Sequence, residues 1–155
     1  DKRRYASFDE VLDYCRRSAN PVGRIVLMIH GRRDPEEFRM SDAVCTALQL
    51  ANFWQDLAVD LRKDRIYVPA EDFAEFGYSE ADLRMGVVNE RFRNLMRHEW
   101  KRTRALFEEG RPLWRRLPVP LSWEIKLTWL GGVEILRKIQ KRLLNGYIFY
   151  LKYTA

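Results

Sequence analysis

At 155 residues, the chain is long enough for one domain with a buried core, and its 46% hydrophobic and 32% charged residues exclude a disordered chain. The apolar run at residues 25–29 is far shorter than the roughly 20 residues of a membrane-spanning helix, and the first residues carry no signal-peptide pattern. The net charge of +6 admits anionic partners, but the basic residues form no nucleic-acid-binding motif, so we expect no nucleic acid partner.

Apolar residues recur at helical spacing along almost the whole chain, which predicts an all-α fold. Residues 8–30 form the first helical stretch, and Pro21 predicts a kink or a short break within it. The glycine and proline of residues 31–35 predict a loop. Ser41 is a suitable N-cap for a helix over residues 42–61.

The second half of the chain continues the helical pattern without any strand signal or internal repeat. A short helix is predicted over residues 70–76, and Ser79 with Asp82 resembles a capping box that begins the next one. A long amphipathic helix is predicted over residues 89–110, and a last helix over residues 121–144. The aromatic tail after residue 146 carries no pattern that assigns its state.

Four polar residues line one stripe of the helix predicted over residues 42–61, whose other faces are apolar. An advance of about 100° per residue places Gln49, Asn52, Asp56 and Asp60 within about 80° of one another. A helix that is apolar on most sides is usually buried, so we expect the stripe to face a polar cavity inside the protein.

The two aspartates of this stripe lie one helical turn apart, where like charges repel by roughly 0.2–0.5 kcal/mol. Mg²⁺ prefers oxygen ligands and is commonly held by one or two carboxylates together with substrate phosphates. Asp56 and Asp60 therefore predict a Mg²⁺ site, to which Asn52 and Gln49 add amide groups. The alternative is a set of surface ion pairs with the basic residues Arg62, Lys63 and Arg65.

The segment at residues 48–69, Leu-Gln-Leu-Ala-Asn-Phe-Trp-Gln-Asp-Leu-Ala-Val-Asp-Leu-Arg-Lys-Asp-Arg-Ile-Tyr-Val-Pro, resembles the second aspartate-rich motif of the squalene/phytoene synthase family. Its Phe-Trp-Gln version, together with Tyr-Cys-Arg-Arg-Ser-Ala-Asn-Pro-Val-Gly-Arg at residues 14–24, is most similar to the bacterial hopanoid-pathway squalene (hydroxysqualene) synthases. The resemblance is specific over residues 5–69 and loose over residues 78–139.

The resemblance implies an isoprenoid-synthase fold around a central cavity, with head-to-head prenyl diphosphate chemistry and Mg²⁺-dependent loss of diphosphate. The implied metal ligands are Asn52, Asp56 and Asp60. The implied catalytic residues are Asp56, Asp60, Arg65 and Tyr67. The implied substrate-binding residues are Tyr14, Ser18, Ala19, Val22, Gly23, Gln49 and Asn52.

The implied substrate is farnesyl or presqualene diphosphate. Capture of the carbocation by water would give hydroxysqualene for hopanoid or triterpenoid synthesis, whereas a full squalene synthase would use NADPH to give squalene. A phytoene- or dehydrosqualene-type synthase is the alternative within the family, and the Phe53-Trp54-Gln55 version argues against it. A noncatalytic helical member of the family is a further alternative, which the intact polar stripe argues against.

The first aspartate-rich motif of the family is missing. Asp9 and Asp13 have its spacing, but they lead directly into Tyr14 and indicate a solvated helix face. The chain also does not begin with Met. We therefore expect residues 1–155 to form a single partial isoprenoid-synthase domain that lacks its amino-terminal helices. On its own it should have half a metal site and an open cavity, and it should be inactive.

Two features bear on location. Cys15 and Cys45 lie in apolar-patterned segments, which predicts two buried, reduced thiols and a cytoplasmic protein. The basic residues at 115–116 and 138–142 form either a solvated face or a peripheral contact with an anionic membrane.

Overall fold

The computed structural model describes residues 2–144, and the aromatic tail after residue 146 lies outside the described residues. Within them the regular elements are α-helices and there is no strand, which confirms the all-α prediction. The helices are α1 (Phe8–Ser18), α2 (Asn20–Ile29), α3 (Pro35–Gln55), α4 (Leu57–Arg62), α5 (Ala70–Glu75), α6 (Glu80–Arg84), α7 (Glu90–Gly110), α8 (Leu113–Arg116) and α9 (Leu121–Leu144).

Helix α3 is the centre of the fold and packs against α1, α2, α7 and α9. Its side chains Leu50, Ala51 and Trp54 are buried in the main core, so most of its faces are covered by other helices. Two glycines allow this close packing. A Cβ on Gly132 of α9 would lie 2.5 Å from Leu48 Cδ2, and a Cβ on Gly110 of α7 would overlap Val44.

The central helix differs from the prediction at both ends. It begins at Pro35 rather than Asp42, because Asp34 is the N-cap and its carboxylate accepts a hydrogen bond from the amide of Glu36. The prediction left the first turns of α3 outside the helix because acidic residues such as Glu37 suggest an exposed segment. In the structure an ion pair with Arg32 allows Glu37 to be buried. At the other end, α3 stops at Gln55, and Asp56 separates it from α4.

Other predicted boundaries are confirmed. The first helical stretch breaks at Ala19, immediately before Asn20-Pro21, and so divides into α1 and α2. Both hydrogen bonds of the capping box are present, because the amide of Asp82 donates to Ser79 Oγ and the amide of Ser79 donates to the Asp82 carboxylate. Asn89 caps the long helix α7, whose carboxyl end is Gly110 as predicted.

The structure also shows the burial of the two cysteine thiols and the length and apolarity of the described helices. Cys15 is fully buried, and this burial raises its pKa to about 12, whereas Cys45 is half-buried. Neither forms a disulfide. No helix among the described residues is long and apolar enough to cross a bilayer.

Candidate active site

The polar stripe stays on one face although the helix that carries it is interrupted. The amide of Asp56 donates to the carbonyl of Asn52 at 2.8 Å, and the amide of Asp60 donates to the carbonyl of Asp56 at 2.9 Å. These two hydrogen bonds continue the helical pattern across the junction of α3 and α4. Asn52, Asp56 and Asp60 therefore occupy successive turns, as the sequence predicts.

The stripe is open on one side, as we expect for this chain alone. Asn52 is exposed, and Gln49, Asp56 and Asp60 are half-buried. The physical reason is that α1, α2, α7 and α9 cover the apolar sides of α3, and no helix of the described residues covers this last side.

An open groove of about 510 Å³ runs beside the stripe, between α2 and α3. It brings together five of the predicted substrate-binding residues, which are Ser18, Ala19, Val22, Gln49 and Asn52. Two residues that sequence reasoning missed, Cys45 and Leu48, complete its lining. Val22 is 61% exposed, so the α2 wall presents an apolar side chain to the open side of the groove.

The sixth of these predicted residues, Gly23, lies at the contact between α2 and α3 rather than in the groove lining. A Cβ at this position would lie 2.5 Å from Cys45 Sγ and would overlap Ser41 Oγ. The absence of a side chain thus lets α2 approach α3 closely. Gly23 sets the width of the groove through this packing contact.

The two tyrosines predicted in the site meet in an aromatic cluster. Tyr67 lies parallel to Phe53, with ring centroids 3.6 Å apart, and 5.8 Å from the ring of Tyr14. Tyr5, which sequence reasoning missed, also stacks with Tyr67, with ring centroids 5.6 Å apart. The only sequence feature that marked Tyr5 was its aromatic side chain in the segment before α1.

Burial affects two of the phenol groups in this cluster. Burial first, and then the neighbouring Tyr14 and Asp60, raise the pKa of Tyr67 above its ordinary value. The hydroxyl of Tyr5 is buried and has no hydrogen-bond partner among the described residues. Tyr67 therefore presents a neutral phenol close to the second aspartate of the stripe.

After Asp60 the chain forms a tight loop, and this loop brings Arg65 back beside the stripe. The amide of Arg65 donates to the carbonyl of Asp60 at 2.8 Å, and Asp64 adopts a positive φ of 57°, which aspartate tolerates better than most residues. Arg4 and Arg84 pair with the Asp64 carboxylate and lower its pKa to about 2. This loop keeps Arg65 and Tyr67 beside Asp60.

Backbone pairing holds the same loop from the other side. The amides of Ile66 and Ala70 donate to the carbonyls of Arg3 and Tyr5, at 3.0 and 2.9 Å. A further bond at 3.1 Å joins the amide of Glu71 to the carbonyl of Ala6. The amino-terminal segment is thus part of the frame of the site.

A buried ionic group lies behind the site, on α5 and α7. Glu99 is fully buried and Asp72 is 3% exposed, and Arg102 pairs with both carboxylates. Burial raises the pKa of Glu99 well above its ordinary value. Sequence reasoning missed this group, although the spacing of Glu99 and Arg102 by three residues was a visible signal. The group attaches α5, and through it the loop that carries Tyr67, to α7.

The side chains of the stripe can supply only part of the coordination of a magnesium ion, and water and substrate phosphates would have to supply the rest. No group of three or more His, Cys, Asp or Glu side chains in the described part of the chain could hold a metal ion. Asp56 and Asp60 supply two carboxylates on successive turns, and Asn52 supplies an amide oxygen. Mg²⁺ accepts such a small protein set when water and substrate phosphates complete its coordination.

The chain is similar to several known proteins. The profile of the squalene/phytoene synthase family matches residues 1–149. A phytoene synthase of Arthrospira platensis is 37% identical over 90% of this chain and 50% of its own length. A hydroxysqualene synthase of Rhodopseudomonas palustris is 34% identical over 91% of this chain and 49% of its own length.

A solved structure shows the same fold. The crystal structure of the squalene synthase HpnC from Alicyclobacillus acidocaldarius is 44% identical and superimposes with a TM-score of 0.89, over 92% of this chain and 54% of that one. The chain thus spans about half the length of these relatives. The family profile, the identities and the all-α isoprenoid-synthase fold show that this chain belongs to the squalene/phytoene synthase family.

Proposed function

We propose that the chain forms one wall of the active site of a Mg²⁺-dependent head-to-head prenyl diphosphate synthase of the squalene branch. The observation that carries this proposal is the arrangement of the groove, the polar stripe and the tyrosine cluster. The stripe of Asn52, Asp56 and Asp60 borders an open groove at one side, and Tyr67 lies near Asp60. A substrate with an apolar chain and a diphosphate group requires both surfaces next to each other.

Each surface has a separate task. Val22 and Leu48 line the groove with apolar side chains, which suit a prenyl chain. Asp56 and Asp60, with Asn52, would hold Mg²⁺, which when bound neutralises negative charge on the leaving diphosphate. Arg65, held beside Asp60, would bind diphosphate oxygens through its planar guanidinium.

The tyrosines act as neutral donors in this scheme. Since the pKa of Tyr67 is raised, its hydroxyl keeps its proton and can donate a hydrogen bond to the diphosphate end of the substrate. Tyr14, whose ring lies 5.8 Å from that of Tyr67, borders the same end. Gln49, halfway along the groove, would contact the substrate between its apolar and charged parts.

The squalene branch is supported by two similarities of 44% identity, one to the squalene synthase structure and one to a Zymomonas mobilis hydroxysqualene synthase over 52% of this chain. The 37% identity to a phytoene synthase favours the second candidate, a phytoene-type reaction. Both candidates use the same wall of the site and differ in the prenyl diphosphate consumed.

The proposal also concerns what covers the open side of the groove. The chain spans about half the length of its relatives, so we propose that the remaining part of a longer protein covers the groove and supplies the first aspartate-rich motif. On this proposal, residues 1–155 alone bind substrate weakly and do not turn it over.

Product analysis tests the reaction. The full-length protein is incubated with Mg²⁺ and presqualene diphosphate without NADPH, and the expected product is hydroxysqualene. A parallel incubation with geranylgeranyl diphosphate should give no phytoene. Phytoene formation there would replace the squalene branch by the second candidate, and failure to consume any prenyl diphosphate would overturn the enzymatic proposal.

Paired substitutions test the metal assignment. Asp56→Asn with Asp60→Asn should abolish Mg²⁺-dependent turnover, because both carboxylates of the stripe are lost. Asp9→Asn with Asp13→Asn is the control with the same spacing on α1, and it should keep Mg²⁺-dependent turnover because these carboxylates lie outside the stripe. Full activity of the Asp56/Asp60 variant would refute the proposed ligands.

A further inference from the structure

A second pocket lies between α7 and α9 and shares no residue with the groove. It is a shallow pocket of about 330 Å³ that is partly open to solvent, and it is lined by Arg93, Arg97, Trp100, Gln140 and Leu143. The α7 residues recur after four and then three positions, so they lie on one helix face. Gln140 and Leu143 are three positions apart on α9 and close the pocket from the other side.

The apolar wall of this pocket is fixed in place. The indole N–H of Trp100 donates to the carbonyl of Leu136 at 3.0 Å, which joins α7 to α9 and sets the orientation of the ring. Trp100 is half-buried, and Leu143 is buried beside the pocket. The pocket therefore has a rigid apolar side and a charged side formed by two guanidinium groups.

The charged side carries an excess of positive charge. No carboxylate from the described residues lines the pocket. Arg93 pairs with Glu90, which is 74% exposed, and such surface pairs contribute little. Arg97 donates to the neutral amide oxygen of Asn94 at 2.7 Å, and this contact leaves its charge in place.

The neighbouring surface has the same sign. The last part of α9, residues 134–144, carries four basic residues and one acidic residue. Arg137 pairs with that acid, Glu134, and the other three are lysines or arginines on exposed positions. An anion that approaches this end of the molecule is attracted before it reaches the pocket.

We infer that this pocket binds a phosphate group attached to an apolar moiety. Arg93 and Arg97 present planar donors that match phosphate oxygens, and the amide of Gln140 adds a neutral donor. Trp100 and Leu143 contact the apolar moiety. The same chemistry is found in the headgroup region of an anionic phospholipid and in a soluble phosphate ester, and binding is measurable without turnover at the proposed active site.

Two binding experiments separate these sources. Cosedimentation compares vesicles of phosphatidylcholine alone with vesicles that also contain phosphatidylglycerol, and calorimetry measures binding of phenyl phosphate, a soluble phosphate ester with an apolar group. Selective binding of phosphatidylglycerol vesicles identifies a phospholipid ligand, and binding of phenyl phosphate identifies a soluble one. No binding of the unsubstituted protein to either would overturn the inference.

Matched variants separate the pocket from general attraction between charges. Arg93→Gln with Arg97→Gln should weaken the observed binding about tenfold more than Lys101→Gln with Lys138→Gln, because only the first pair loses charge-assisted hydrogen bonds. Each variant removes two positive charges, the first from α7 alone and the second from α7 and α9. Equal losses would show diffuse electrostatic attraction only and would overturn the pocket assignment. Circular dichroism confirms that both variants stay folded.

Discussion

The rings of Phe53 and Tyr67 lie parallel, with an angle of 6° between their planes and their centroids 3.6 Å apart. Phe53 belongs to the central helix, and Tyr67 belongs to the loop that leaves the stripe. Stacking therefore links the most buried helix of the fold to a residue of the proposed active site.

We expect Phe53→Leu to lower the free energy of unfolding by roughly 1–2 kcal/mol, because a buried aromatic pair is lost and a void remains beside Tyr67. Urea denaturation measures this loss. Phe73→Leu is the control, since Phe73 is half-buried and its nearest stacked ring, Tyr78, is 6.1 Å away. A smaller loss for Phe53→Leu than for Phe73→Leu would contradict the importance of this stack.

Two adjacent glycines of α9 should respond in opposite directions. Gly132→Ala places a Cβ 2.5 Å from Leu48 Cδ2 and 2.6 Å from Phe107 Cζ, and such overpacking costs about 1–3 kcal/mol. Gly131→Ala meets open space and gains up to about 1 kcal/mol of helix propensity. Thermal melting of both variants checks the difference, and a stable Gly132→Ala would refute the close contact of α9 with α3 and α7.

The buried ionic group on α7 predicts a large effect from one arginine. Arg102→Met leaves Asp72 and Glu99 buried without their cation and should cost about 3 kcal/mol at neutral pH. The loss should be smaller at pH 5, because burial already raises the pKa of Glu99 and protonation removes its charge. Chemical denaturation at both pH values measures this.

Arg137→Met provides the control for this experiment. Arg137 also pairs with a glutamate three residues earlier, but both partners are exposed, so the expected loss is below about 1 kcal/mol. Equal losses for the two arginine variants would show that burial does not decide the strength of the Glu99–Arg102 pair.

The loop after the stripe predicts a sensitivity to acid. Arg4 hydrogen-bonds to Asp64 and Glu80, and with Arg84 it lowers the pKa of each carboxyl to about 2. Because these folded-state pKa values lie below the unfolded ones, the pairs stabilise the protein above about pH 5 and are lost as the pH falls toward 2.

Melting temperatures at a series of pH values test this effect. Arg4→Gln should flatten the fall in stability between pH 5 and pH 2. Arg16→Gln, which removes a pair with Asp13 on exposed α1, should keep the original pH dependence. An unchanged profile in Arg4→Gln would remove the Arg4 pairs as its cause.

The sequence predicted the features that depend on local pattern. The long helix α7 was predicted closely because apolar spacing and the Asn89 cap agree over 21 residues. The order of Asn52, Asp56 and Asp60 along one face was also correct, because it depends only on the helical repeat. Contacts between residues within one helical turn are sufficient to determine the bounds of α7 and the order of the stripe residues.

Features that depend on distant contacts were not predicted. The start of α3 was placed too late because the burial of Glu37 requires Arg32, and a polar residue read alone suggests an exposed loop. Tyr5 reaches Tyr67 only after the chain has folded back over the whole of α1 to α4.

The backbone hydrogen bonds from Ile66, Ala70 and Glu71 to the amino-terminal segment have a consequence for local opening. If residues 3–6 peel away, the three bonds are released together, and Tyr5 leaves the face of Tyr67 in the same event. The segment and the loop thus form one cooperative unit. Amide protons at Ile66, Ala70 and Glu71 should exchange with solvent at a common rate. That rate reports how often the amino-terminal segment separates from the loop that carries Tyr67.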